Sequence, residues 1–156
     1  MFIEVTGSTK ERREMAEDIA AFALGLLAPR LLRKVEVDIN LINNLRDQEE
    51  LVGDCTWEDS RYRPRHFTVR IDASQDKHDM LETVAHEMVH VKQYARGELK
   101  DTNHLSLCKW KDKVVDSDKV NYYDQPWEIE AHGRERGLFF RWIAKSRWKK
   151  CRWIKY

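Results

Sequence analysis

His86 and His90 stand four residues apart with Glu87 beside the first of them, which puts three chemically active side chains into one helical turn. Side chains four apart on an α-helix lie one above the other, so two imidazoles at this spacing can converge on one ion. Glu87 lies about 100° around the axis, out of line with the pair but within reach of water bound to the shared ion. Zinc held by two neutral imidazoles and one further protein ligand keeps an open position. There it acidifies water towards a pKa of about 7 and polarises a carbonyl. Glu87 is then the base that takes the water's proton. The third ligand has to come from elsewhere in the chain.

Such a centre needs a rigid carrier. Asp76, with Asp79 three positions on, fits a helix start, and Gly97 fits a helix stop. Between them Leu81, Val84, Ala85, Met88 and Val91 recur at three- and four-residue spacing, which predicts a core-facing stripe running beside the histidines. The motif therefore falls in the middle of a half-buried helix.

The other elements follow from similar signals. Phe2, Ile3 and Val5 can start a short strand. Ser8 with Glu11 fits a capping box, and Met15, Ile19, Phe22, Ala23 and Leu26 then trace one helical face until Pro29. Val35, Val37, Ile39 and Leu41 alternate with polar residues, as do Phe67, Val69 and Ile71, and a weaker strand lies within 52–57. The expected class is α+β: a small antiparallel sheet packed against an N-terminal helix, the histidine helix and a C-terminal helix. After Gly97, Asp101 to His104 reads as polar loop, and 105–111 is expected to pair with 120–123 across a turn at 112–119. Helical character returns at Pro126, with Asp124 as the cap, and Gly133 and Gly137 are expected to let another element approach closely.

A length of 156 residues bounds the chain to one domain, taken as 1–145, followed by a basic aromatic tail, 146–156. Formal net charge is +1, yet Leu138 to Tyr156 holds seven Lys or Arg and no acid, leaving 21 basic and 27 acidic side chains in the other 137 residues. Aromatics interleaved with cations there, Trp148, Trp153 and Tyr156 among them, form a pattern that stacks bases and tracks phosphates. The expectation is weak binding of single-stranded nucleic acid. The other reading docks those aromatics on the core and leaves the cations to solvent or to the acidic body. Cys55, Cys108 and Cys151 are widely spaced and odd in number, which favours reduced thiols and a cytoplasmic location. The most apolar stretch, Ile19 to Ala28, is too short to span a bilayer, so no membrane role is expected.

The run His86-Glu87-Met88-Val89-His90 resembles the HExxH signature of zinc metallopeptidases. Glu128-Ile129-Glu130-Ala131-His132 is similar to the ExxA segment of gluzincins. The resemblance covers about residues 65 to 140 and implies a minimal zincin, of the kind found among phage-type or SprT-like metallopeptidases. Zn2+ would be bound by His86, His90 and Glu128, with Glu87 as general base and later proton donor in the hydrolysis of a protein or peptide substrate. Gln93 and Arg96 stand where the metzincin extension requires glycine and histidine, which excludes that type. His104 remains an alternative third ligand in the SprT-like arrangement, and Glu130 replaces Glu128 if the late helix is rotated. His132 departs from the gluzincin pattern, in which an acidic or amide residue orients a zinc-bound histidine. Tyr122 and Tyr123 are placed to stabilise an oxyanion, and the strand at Phe67 to Asp72 resembles the edge strand along which zincins lay an extended peptide. The competing class is a nucleic-acid-binding module with a structural or vestigial zinc, or a protease recruited to DNA-bound protein.

Overall fold

The computed structural model describes residues 2–156. Strand β1 (Phe2–Thr6) leads into helix α1 (Lys10–Leu27), and β2 (Glu36–Ile42) is followed by the short helix α2 (Leu45–Glu49). Next come β3 (Gly53–Trp57), β4 (His66–Asp72) and α3 (Lys77–Arg96). Three short strands, β5 (Leu99–Asp101), β6 (Leu107–Trp110) and β7 (Lys113–Asp116), precede a 3-10 turn at Tyr122–Asp124 and the last helix, α4 (Pro126–Ile143). The class is α+β.

The main sheet has the order β1-β2-β4-β3. It is mixed, whereas the sequence pattern pointed to an antiparallel sheet: β1 pairs parallel with β2 and β2 with β4, and only β3 runs antiparallel, against β4. Alternation along a strand reports which face is buried and is blind to strand direction. For β1 and β2 direction is decided by α1, whose 18 residues carry the chain back along the sheet, and for β2 and β4 by the intervening α2 and β3, since β3 runs the other way before β4 begins. One face, with Val37, Ile39, Leu41, Phe67, Val69 and Ile71, is buried under α1 and α3.

α3 is the keystone of the core. Asp76 caps its first turn by accepting from the Asp79 amide, and Gly97 ends it at φ 71, a left-handed conformation that suits glycine. Met80, Leu81, Val84, Ala85, Met88, Val89 and Val91 are fully buried, with α1 on one flank and α4 on the other. The cap of α1 is Thr9 and not Ser8, because the chain turns at Gly7 and Ser8, both at positive φ. A Cβ on Gly7 would lie 2.1 Å from the Leu41 carbonyl oxygen, so that turn requires glycine.

The second sheet, β5-β6-β7, also departs from expectation. β6 and β7 form a tight hairpin turned by Lys111 and Asp112, both at positive φ, while residues 120–123 stay outside the sheet. Such turns are announced by Asn-Gly or Asp-Gly, and Lys-Asp gives no such signal. At α4, Gln125 occupies the cap position without a side-chain bond, so Asp124 is not the cap, while Pro126 opens the first turn. A Cβ on Gly133 or Gly137 meets nothing within 4 Å; both face open space and neither is a close-approach site.

Residues 146–156 lie against the body. Trp148, Cys151 and Trp153 are partly buried against the core and Ile154 is buried in it. The Lys155 amide donates to His78 Nδ1 at 2.9 Å, and its ammonium contacts Asp79 at 3.0 Å. Tyr156 is 88% exposed. Among the described residues no disulfide links the three cysteines, and no helix is long and apolar enough to cross a membrane.

Candidate metal centre

α3 presents His86 and His90 on successive turns with their Nε2 atoms 3.1 Å apart. Glu128 enters from the first turn of α4, its Oε2 3.2 Å from His86 Nε2 and its Oε1 3.4 Å from His90 Nε2. The three side chains are buried and form a group that could hold a metal ion. Donors about 2.0–2.1 Å from a tetrahedral zinc stand about 3.3 Å from one another, close to the separation of the two imidazole nitrogens and of each nitrogen from its nearer Glu128 oxygen. Ala131, fully buried one turn after Glu128, lets α4 seat closely on α3.

Each imidazole is oriented by a partner on its other nitrogen. His90 Nδ1 lies 2.8 Å from Gln93 Oε1. The assignment of that amide is fixed chemically, because Gln93 Nε2 donates to the Trp127 carbonyl at 3.0 Å and to Glu130 Oε2 at 2.9 Å, both pure acceptors. Its oxygen must face His90, which then carries the proton on Nδ1 and leaves the Nε2 lone pair for a metal. His86 Nδ1 lies 2.7 Å from Glu135 Oε2, with the same consequence. Glu135 thus fills the orienting role that His132 cannot. His132 instead lies tilted against the His86 ring, centres 4.5 Å apart, and contacts Glu135 at 3.3 Å. His86, His132 and Glu135 make a second, more exposed trio.

Glu87 is 4% exposed and, among the described residues, has no hydrogen-bond or ion-pair partner within range. It faces β3, one of the two edge strands of the main sheet. A Cβ on Gly53 would stand 2.8 Å from Glu87 Oε1 and 2.7 Å from Thr83 Cγ2, so glycine at that point of the edge strand makes room for the carboxylate. Two cavities of about 260 Å³ adjoin it, sharing Gly53, His86, Glu87 and Tyr122 in their walls. Tyr122 donates to Glu128 Oε2 at 2.7 Å, whereas Tyr123 is 70% exposed.

The electrostatics follow from burial and proximity. Burial opposes charge on His86, yet hydrogen bonds with Glu128 and Glu135 outweigh it and lift its pKa to about 10. Burial likewise opposes charge on His90, and contact with Glu128 raises it overall. Burial would raise Glu128, but the two imidazoles hold its carboxyl well below the usual carboxylate range. Burial pushes Glu87 up to about 7 against the pull of the neighbouring imidazoles. A divalent cation would displace protons from the trio and lower Glu87 as well.

The other sequence candidates lie elsewhere. His104 is an exposed loop residue whose Nδ1 is 3.5 Å from Ser106 Oγ. Glu130 points away from the trio, to Lys92 at 2.7 Å and to Gln93. β4 lies between β2 and β3 in the sheet, so the free edge beside Glu87 belongs to β3 and not to Phe67–Asp72. Sequence reading missed Gln93, Glu135 and Gly53. Glu128, His132 and Glu135 do recur at helical spacing on one face of α4, a signal that was available. Comparison with known protein families, with curated proteins and with solved structures finds no match for this chain.

Proposed function

We propose that the chain is a zinc-dependent peptidase with the arrangement of a minimal zincin. The observation that carries this reading is the buried triangle of His86 Nε2, His90 Nε2 and the Glu128 carboxylate, with both lone pairs turned inward and a buried, unpartnered Glu87 beside it. These three residues would hold the metal. When bound there, zinc supplies a Lewis acid that acidifies water and polarises the scissile carbonyl.

Glu87 accepts the proton of the attacking water and returns it to the leaving amine, a role that its closeness to the trio and its lack of competing partners support. Tyr122 stays protonated, since burial and the Glu128 carboxylate both raise its pKa, and its hydroxyl, donated to Glu128 Oε2 at 2.7 Å, steadies that carboxylate in the trio. An extended peptide pairs with the free edge of β3, running past Gly53, and is held mainly through its backbone. Affinity of that kind makes side-chain selectivity broad. The unlinked thiols of Cys55, Cys108 and Cys151 suit a reducing compartment such as the cytoplasm.

The test is Glu87→Gln beside the unaltered chain, each loaded with zinc and given casein or a peptide library read by mass spectrometry. About one zinc per chain is expected in both. Cleavage should fall by at least about a thousandfold in the variant, a barrier increase of about 4 kcal/mol. Equal cleavage by the two proteins removes Glu87 from the mechanism, and zinc-loaded protein that cleaves nothing removes the reading.

A further inference from the structure

A second concave site, lined by none of the metal trio, opens where the α1–β2 loop, the β3–β4 loop and the last turn of α3 meet. It is a cavity of about 460 Å³ walled by Arg30, Arg63, Arg65 and Arg96, with Ala28 and Ala95 in its lining. Both alanines are buried, so the cavity combines a cationic rim with an apolar floor.

The charge of this rim is almost uncompensated. Among the described residues Arg96 alone of the four has a carboxylate partner, Glu98 at 3.2 Å, and Glu98 is shared with Lys92 at 2.8 Å. Arg65 has a structural task, donating to the Ala95 carbonyl at 2.7 Å at the end of α3. Arg30 and Arg63 have no such anchor. Arg70, Arg134 and Arg147 show what pairing looks like on this surface, each within reach of a glutamate, Glu49, Glu130 and Glu14 respectively, and what sets the pocket apart is that its four guanidinium groups line one cavity. Four guanidinium groups around one cavity repel one another, and that repulsion is relieved when an anion enters. Next to the rim, Tyr62 is 64% exposed, with the Arg63 guanidinium 5.4 Å and the Lys100 ammonium 5.8 Å from its ring centre.

We infer that this pocket binds a nucleoside phosphate. The planar forks of Arg30, Arg63 and Arg96 match phosphate oxygens in pairs, and the apolar part of the lining, Ala28, Pro29, Leu31 and Ala95, receives the base. The nucleotide is either free or part of a single strand, the two sources sharing this chemistry. The site works independently of the metal trio and of residues 146–156.

The experiment uses the full chain at low ionic strength, about 50 mM, where phosphate contacts are strongest. AMP is titrated by calorimetry, and a short fluorescent oligothymidylate by anisotropy, against the unaltered protein, Arg30→Glu, Arg63→Glu and a tail control, Lys149→Glu with Lys150→Glu. Either pocket reversal should weaken binding about tenfold or more, and the tail control less than about twofold. Saturation by AMP identifies the free nucleotide as ligand, and binding of the oligonucleotide without AMP identifies the strand. Three results overturn the assignment: neither probe binds, the tail control loses as much as the pocket variants, or a polyglutamate peptide binds as tightly as the oligonucleotide. Amide exchange on the unaltered protein guards against a misfolded variant. Ligand should protect residues 61–65 and 95–97, and no protection there counts against the site.

Discussion

His90 Nδ1 lies 2.8 Å from Gln93 Oε1, and the buried Gln93 amide is itself locked by the Trp127 carbonyl and Glu130, so one imidazole of the trio has its proton position set by groups at the start of α4. Gln93→Leu keeps the volume and removes the acceptor. Zinc affinity, measured by competition with a chelator, should fall about 10- to 100-fold. Unchanged affinity would mean that the amide only packs.

Gly53→Ala tests the edge strand. The new Cβ meets two side chains, Thr83 Cγ2 and Glu87 Oε1, at less than 3.0 Å, and the Arg70 carbonyl oxygen of the neighbouring strand at 3.3 Å, a contact that a shift of a few tenths of an ångström relieves. Zinc content and fold should therefore be kept, while displacement of the Glu87 carboxylate should lower kcat about tenfold or more, with little change in KM. A variant as active as its parent would separate Gly53 from the placement of Glu87.

The metal-free protein should show the cost of Glu87 as a pH dependence. Its folded pKa, about 7, stands above the ordinary 4.5, so its contribution to stability is intact below pH 4.5 and is lost as pH rises through 7. His86, raised from 6.5 to about 10, contributes fully below pH 6.5 and loses its contribution as pH rises through 10. With chelator present, Glu87→Gln should melt with the parent near pH 4 and above it at pH 8. Parallel melting curves across that range would mean that Glu87 is not held in the state described.

Gly133 and Gly137 occupy the interior of α4 with open space where a Cβ would sit. Replacing both by alanine should stabilise the fold by about 0.5–1 kcal/mol each, through a less flexible unfolded chain and better helix propensity. Thermal melting a few degrees higher with unchanged zinc affinity is the expected result. Destabilisation would reveal a role for those glycines beyond helix geometry.

The sequence by itself determined what depends on neighbours a few residues away. The spacing of His86, Glu87 and His90, the Asp76 cap, the Gly97 stop and the apolar stripe of α3 are local consequences of helix geometry, and each is found as read. The identity of the buried strands was equally legible, because alternation along Val37, Ile39 and Leu41 reports the covered face. Strand direction was not, since it depends on where α1 and, later, α2 with β3 return the chain. Nor was the hairpin at Lys111 and Asp112, whose left-handed residues carry no turn signature. Glu128, His104 and Glu130 were separable only in three dimensions: the rotation of α4 on α3 turns Glu128 into the trio, sends Glu130 to Lys92 and Gln93, and brings Glu135 behind His86. That rotation is set by the packing of Ala131, Leu138, Phe139 and Trp142 into a core shared by distant parts of the chain, and no spacing within one helix encodes it.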